Sequence, residues 1–331
     1  MCVENLRLYL EHLRALLREN SALTRSTLSA NIEGDESTAF IHIADYVDTA
    51  CKEFADDMDK ADNDPTYVCD IRVPASKDLA KLVEDAMFSE DSEMLDPEHT
   101  TLFRSIVGKL AHAVVKCRVD IAYTVGMLSR AQSKPTLKLL HAALHVLKYL
   151  KGTRRLGLKF EFDERHSSVG DVFRRKSGFH VNAISDADWA VRHSTSGFIS
   201  FACGAPVGYA SKKQKSIALS STEAEIFAAS LSGLDILYLL HLLDSIRVAH
   251  DGPVPLLVDN EGAVSILSTR TASGHAKHIE RRHLHLRELK ENKVVDISFV
   301  PTVKNVSDIL TKALDPIRFE MLRSSFMHYV P

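Results

Sequence analysis

Near Arg155 the spacing of apolar residues changes from a helical period to a period of two, and that change governs what the chain can fold into. Upstream, PEHTTLFRSIVGKLAHAVVKC, VDIAYTVGMLSRA and PTLKLLHAALHVLKYLKGT each carry apolar residues on one helical face. Pro135 suits the first turn of the third helix and Gly152 its stop. Downstream, LGLKFEF, GFHVNAIS, TSGFISFAC and PVGYASKK alternate as short strands with Gly or Pro at the turns. A long helix, STEAEIFAASLSGLDILYLLHLLDSI, follows. Then come PVPLLVD, whose unbroken apolar run fits a buried central strand, and the short helix NEGAVSILS. The basic helix GHAKHIERRHLHLRELKEN, the strand VVDISFV and the helix KNVSDILTKAL complete the pattern. The last three of the four alternating strands, antiparallel-compatible, then helix, strand, helices, strand and helix make an α/β domain with a mixed sheet and flanking helices.

The rest of the chain is less regular. Residues 3–20 place Leu6, Leu10, Leu13 and Leu17 on one helical stripe, residues 21–36 are polar and linker-like, and residues 40–55 have weak helical periodicity. Residues 1–100 hold 9 Lys and Arg against 23 Asp and Glu, a net charge of −14, whereas residues 101–331 net +11. A basic half suits a polyanionic partner, although a solvated surface is the plainer account of each half. Three regions are expected: an acidic N-terminal region over 1–96, a helical subdomain over 97–153, and the α/β domain over 154–331 with its core at 178–314. Apolar residues at 45% and charged residues at 26% exclude a wholly disordered or collagen-like chain. The cysteines Cys2, Cys51, Cys69, Cys117 and Cys203 form no CxxC pair, which speaks against a zinc ribbon, a redox motif or a secreted disulfide framework. No uninterrupted apolar run reaches membrane-spanning length and the N-terminus does not read as a secretory signal, so a cytoplasmic or nuclear location without membrane attachment is expected.

Four carboxylates fall at element ends in the α/β region. Asp186 closes a strand, Glu225 lies in the first turns of the long helix, Asp259 ends the apolar strand, and Asp308 starts the last helix. Ligands of α/β sheets gather at such ends. Converging acids would raise one another's pKa unless cations neutralised them, and hard divalent cations with oxygen ligands do that. Each acid alone has a plainer use, as a turn cap, a helix cap or a dipole partner. The ordered set of strand acid, helix acid, strand acid and helix acid is what carries weight.

SDADWA, HSTSGFISFACGAPVGYASKKQKSIALSSTEAE, VDNEGAV, KHIERRHLHLRE and VPTVKNVSDILTK resemble the ribonuclease H domain of copia-type LTR-retrotransposon polyproteins. LFRSIVGKLAHAVVKCRVDIAYTVGMLSRAQSKPTLKLLHAALHVLKYLKGT resembles the connection between reverse transcriptase and ribonuclease H in the same elements. IADYVDTACKEF is a fainter echo of the polymerase thumb. The resemblance implies a ribonuclease H-like mixed five-stranded sheet and an endonuclease that cuts the RNA strand of RNA–DNA hybrids with two Mg²⁺ ions, Mn²⁺ being the natural substitute. It implies that Asp186, Glu225, Asp259 and Asp308 are the catalytic metal ligands, with Asp188 and Glu223 their nearest rivals. It implies no small-molecule cofactor.

Hybrid recognition would be by shape, phosphate and 2′-hydroxyl. Lys212, Lys213 and Lys215, the helix-start residue Ser221, and Lys277, His278, Arg282 and His283 are the candidate contacts. The histidine spacing does not match a tetrahedral zinc set, and a basic helix face accounts for it better. Trp189 suits a wall more than a substrate stack. FADDM, with Asp56 and Asp57, lies between polar flanks that cannot form the buried hairpin of a polymerase site, so no polymerase activity is expected. The loop between DADWA and HSTSG is shorter than the resemblance leads one to expect, and Val119 stands where proline is usual. These departures support an alternative: an inactive or co-opted remnant that binds nucleic acid.

Overall fold

The computed structural model describes residues 31–34, 38–62, 67–89, 93–161, 180–190, 193–246, 248, 250, 252–268 and 277–330, with side chains of the 277–291 helix from 284 onward. The stripe of Leu6, Leu10, Leu13 and Leu17 lies outside these residues. The chain forms two compact units, one built chiefly on 159–311 and the other on 40–158 with 312–331. This grouping differs from the one composition suggested, because the helices before residue 97 and the last twenty residues join the helical unit.

Along the first half of the chain, β1 (Asn31–Gly34), β2 (Thr38–His42), α1 (Ala44–Glu53), α2 (Ala55–Asp62), α3 (Leu79–Phe88), α4 (Pro97–Lys116), α5 (Ala122–Arg130), α6 (Leu137–Gly152) and β3 (Leu156–Glu161) follow in order, the helices belonging to the helical unit. Residues 31–34, expected in a linker, are therefore a strand. FADDM enters α2 rather than a hairpin. Asp96 caps α4 by accepting the His99 N–H at 2.9 Å, with Pro97 in the first turn, where its missing N–H costs nothing. Thr136, not Pro135, stands at the start of α6, so the proline precedes the helix. Buried Phe103, Leu110, Leu128, Leu139, Leu147 and Tyr149 form the centre of this unit.

The second unit holds β4 (Val181–Asp188), β5 (Thr195–Ala202), β6 (Ala205–Lys213), α7 (Ser221–Ser245), β7 (Val254–Val258), α8 (Glu261–Ser268), α9 (Lys277–Glu291) and β8 (Val295–Phe299). Near the C-terminus, α10 (Pro316–Ser324) and β9 (His328–Tyr329) return to the helical unit, where β9 pairs antiparallel with β3. The sheet has the order β6-β5-β4-β7-β8. β4, β5 and β6 are antiparallel neighbours, whereas β4–β7 and β7–β8 are parallel. This is the expected α/β class, a mixed five-stranded sheet with flanking helices. The β5–β6 hairpin turns at Cys203 and Gly204 with φ of 50° and 79°, the paired positive values a tight hairpin needs.

α7 meets the length and hydropathy of a membrane span, with 61% of its apolar window buried. It packs on the sheet, and its Ile226, Ala229, Ile236 and Leu240 share a core with Ala183, Leu256 and Ile297. Residues 304–314, expected as a helix, instead form two short 3₁₀ turns, Thr302–Lys304 and Val306–Leu310.

Candidate functional site

Asp186 sits within β4, two residues before its end, rather than closing the strand. It pairs in register with Gly197 of β5. Glu225 is on the second turn of α7, and Asp259 follows directly on β7. The parallel pairing of β4 with β7 brings Ser185 opposite Val258, so the two aspartates leave the sheet at the same rim. Carboxylate oxygens of Asp186, Glu225 and Asp259 lie within 4.8 Å of one another. Asp308 is not in this group; it is buried in the Val306–Leu310 turn, with one carboxylate oxygen, Oδ1, making no hydrogen bond.

The start of α7 explains why Glu225 and not Glu223 enters the cluster. Ser220 caps the helix, accepting the Glu223 N–H at 3.1 Å, and Glu223 reaches back to accept the Leu219 N–H at 2.7 Å. Glu223 is thus consumed by a capping arrangement. Glu225 accepts the Ala187 N–H at 3.3 Å on Oε1, and its buried Oε2 has no partner within hydrogen-bond distance among the described residues. Burial first, and then the carboxylates of Asp186 and Asp259, hold the Glu225 carboxyl well above the ordinary carboxylate range. Three acids offering only oxygen, one with an orphaned buried atom, fit a hard divalent cation better than zinc or copper.

Two buried neutral side chains hold Asp186. Asn305 donates its Nδ2–H to Oδ1 at 3.2 Å, and the Thr311 hydroxyl donates to Oδ2. Sequence reasoning missed both. The Asn-x-x-Asp run starting at Asn305 carries a local capping signal, since Asn305 accepts the Ser307 N–H at 3.1 Å, but nothing local marks Thr311.

The expected substrate contacts divide. Lys212, Lys213, Lys215 and Ser221 are all exposed, the lysines flanking buried Gln214, whose Nε2 donates to Ser196 Oγ at 2.8 Å and to the Ala224 carbonyl at 3.0 Å. That glutamine ties the lysine segment to β5 and α7. Lys277, His278, Arg282 and His283 lie on α9, in the part whose side chains are outside the described residues. Trp189 is exposed, with its indole N–H fixed on the Ala218 carbonyl at 3.0 Å.

Over 226 residues the chain is 28% identical to the retrovirus-related Pol polyprotein of transposon TNT 1-94 from Nicotiana tabacum, a match covering 67% of this chain. A match over 255 residues to that of transposon RE1 from Arabidopsis thaliana is also 28% identical and covers 76% of this chain. Its relatives include the retrovirus-related Pol polyproteins of plant transposons. The chain spans 16% of the length of each of the first two relatives. Secreted RxLR effector protein 161 of Plasmopara viticola is 38% identical over 132 residues, which cover 39% of this chain and 84% of that protein. Among solved structures, LC11-RNase H1 isolated from compost is similar over 40% of this chain and 92% of its own, at 14% identity and a TM-score of 0.33. No family model matches the chain.

Proposed function

We propose that the 159–311 unit is the ribonuclease H of a retrotransposon Pol polyprotein, a metal-dependent endonuclease that cuts the RNA strand of RNA–DNA hybrids. The observation that carries this reading is the gathering of Asp186, Glu225 and Asp259 at one rim of the sheet, with an orphaned carboxylate oxygen on Glu225. These acids would hold Mg²⁺, or Mn²⁺ in its place, with Asp308 contributing from the adjoining turn. Such ions would supply Lewis-acid stabilisation of the charge that develops in phosphodiester hydrolysis.

The chain's own residues would do the rest. Asp186, held from behind by Asn305 and Thr311, presents a carboxylate of fixed orientation. Glu225, kept protonated by burial first and then by Asp186 and Asp259, would give up its proton on loading, because a cation supplies the missing counter-charge. Lys212, Lys213 and Lys215 would meet phosphates, which makes binding salt-dependent. Trp189, its indole N–H fixed on the Ala218 carbonyl, would form a wall rather than a stacking platform. Each of these groups reads backbone or shape, as expected of an enzyme indifferent to sequence.

The test is incubation of the chain with end-labelled RNA–DNA hybrid and Mg²⁺, beside Asp259→Asn. The expected result is fragmentation of the RNA strand by the wild type and none by the variant. Hybrid binding without cleavage would favour the nucleic-acid-binding alternative, to which the six-residue connection between β4 and β5 lends support. Equal cleavage by both proteins would reject the site.

A further inference from the structure

The 3₁₀ turn that replaces the expected last helix has a geometric consequence at Asp186. Asn305, Ser307 and Thr311 are fully buried polar residues. Asn305 Oδ1 accepts the Ser307 N–H at 3.1 Å and the Ser307 hydroxyl at 2.5 Å. An amide whose oxygen is so engaged must turn its NH₂ the other way, and there it donates to the Ser185 carbonyl at 3.3 Å and to Asp186 Oδ1 at 3.2 Å. Thr311 takes the other carboxylate oxygen, and its Oγ1 also lies 3.2 Å from the Asp308 carbonyl. One neutral donor on each oxygen fixes both the plane and the twist of the carboxylate. Neither donor adds a positive charge that would compete with a cation.

The turn can approach this closely because of Gly197. A Cβ at that position would lie 2.7 Å from Thr311 Cγ2 and 2.8 Å from Leu310 Cβ. Gly197 is also the residue of β5 directly opposite Asp186. Sheet register therefore puts the clearance beside the carboxylate that the turn must reach.

We infer that Asn305 and Thr311 are positioning residues that set the Asp186 carboxylate for metal binding, and that Gly197 is the clearance that lets them close on it. This inference rests on the metal-centre reading above. Partners of this kind behind a ligand alter metal affinity as well as turnover, by about 10- to 100-fold when removed.

The experiment is calorimetric titration of MgCl₂ into the wild type, Thr311→Val, Thr311→Ser, Asn305→Ala and Asp186→Asn, each first shown to be folded by circular dichroism. Hybrid cleavage kinetics are measured on the same preparations. Thr311→Val, which keeps shape and loses the hydroxyl, is expected to bind Mg²⁺ about 10- to 100-fold more weakly. Its kcat is expected to fall with little change in KM for hybrid, since the lysine segment is untouched. Thr311→Ser is expected to recover most of the affinity, and Asn305→Ala to lose affinity like the valine variant. Wild-type Mg²⁺ affinity and kcat in both Thr311→Val and Asn305→Ala would overturn the inference while leaving the metal centre standing. Should Thr311→Val fail to fold, Asn305→Ala decides alone, and unchanged affinity there overturns it. Wild-type Mg²⁺ affinity in Asp186→Asn would sink the metal-centre reading and the inference with it.

Discussion

Asp120 in the helical unit and Glu225 in the α/β unit are both removed from water, yet their surroundings are opposite. Arg118, itself fully buried, forks onto Asp120 with Nε at 2.9 Å from Oδ1 and Nη2 at 2.7 Å from Oδ2. The Tyr149 hydroxyl donates to Oδ2 at 2.6 Å, and Arg323 donates to that hydroxyl at 2.8 Å. Burial alone would raise the Asp120 carboxyl, but the Arg118 charge and these hydrogen bonds outweigh it and hold it below the ordinary range. At Glu225 burial acts in the same direction, but the charged groups beside it are the carboxylates of Asp186 and Asp259, and its pKa rises. A buried acid with its counter-charge built in is architecture. A buried acid beside other acids is a place for something to bind.

The contrast can be broken most forcefully at Arg118. Arg118→Ala leaves Asp120 buried without its counter-charge and is expected to cost about 3–5 kcal/mol in urea denaturation. A loss near zero would erase the distinction between the two regions. Next in size, Asp259→Asn is expected to slow hybrid cleavage at least about 100-fold, or about 2.7 kcal/mol of barrier, while leaving metal-free stability intact or higher.

Glu225→Gln sharpens the comparison, because here removing a charge should help the fold. Glu225 binds its proton more tightly folded than unfolded, so its contribution to stability is complete below its ordinary value of 4.5 and is lost as pH climbs toward the raised folded value. Without metal, the wild type should therefore lose stability between pH 5 and 8 relative to Glu225→Gln. The gap by pH 8 should be at least about 1.4 kcal/mol, the worth of one pKa unit. Parallel stability curves for the two proteins would contradict it. The smallest effect is Tyr149→Phe, which removes one hydrogen bond to Asp120 while Arg118 remains, and should cost about 1 kcal/mol in thermal unfolding.

The strands and α7 were legible because alternation, glycine-marked turns and a long apolar run agree on one answer. Asp259 was legible because it ends an apolar strand, where an acid needs a reason. The last expected helix was not, because NVSDILTKAL has helical apolar spacing and only tertiary contacts show that Asn305 and Thr311 bond to Asp186 instead. Arg118 and Asp120 were equally hidden. Two opposite charges two residues apart look like solvated surface, and nothing local shows that Tyr149 and Arg323 come to cover them.

The shortage of positive charge at Glu225 can be measured directly. Saturating MgCl₂ is added to the protein in weakly buffered solution at pH 7 and the released protons are titrated. Proton release is expected from the wild type as Glu225 ionises, and none from Glu225→Gln. No release from the wild type, or equal release from both proteins, would contradict this.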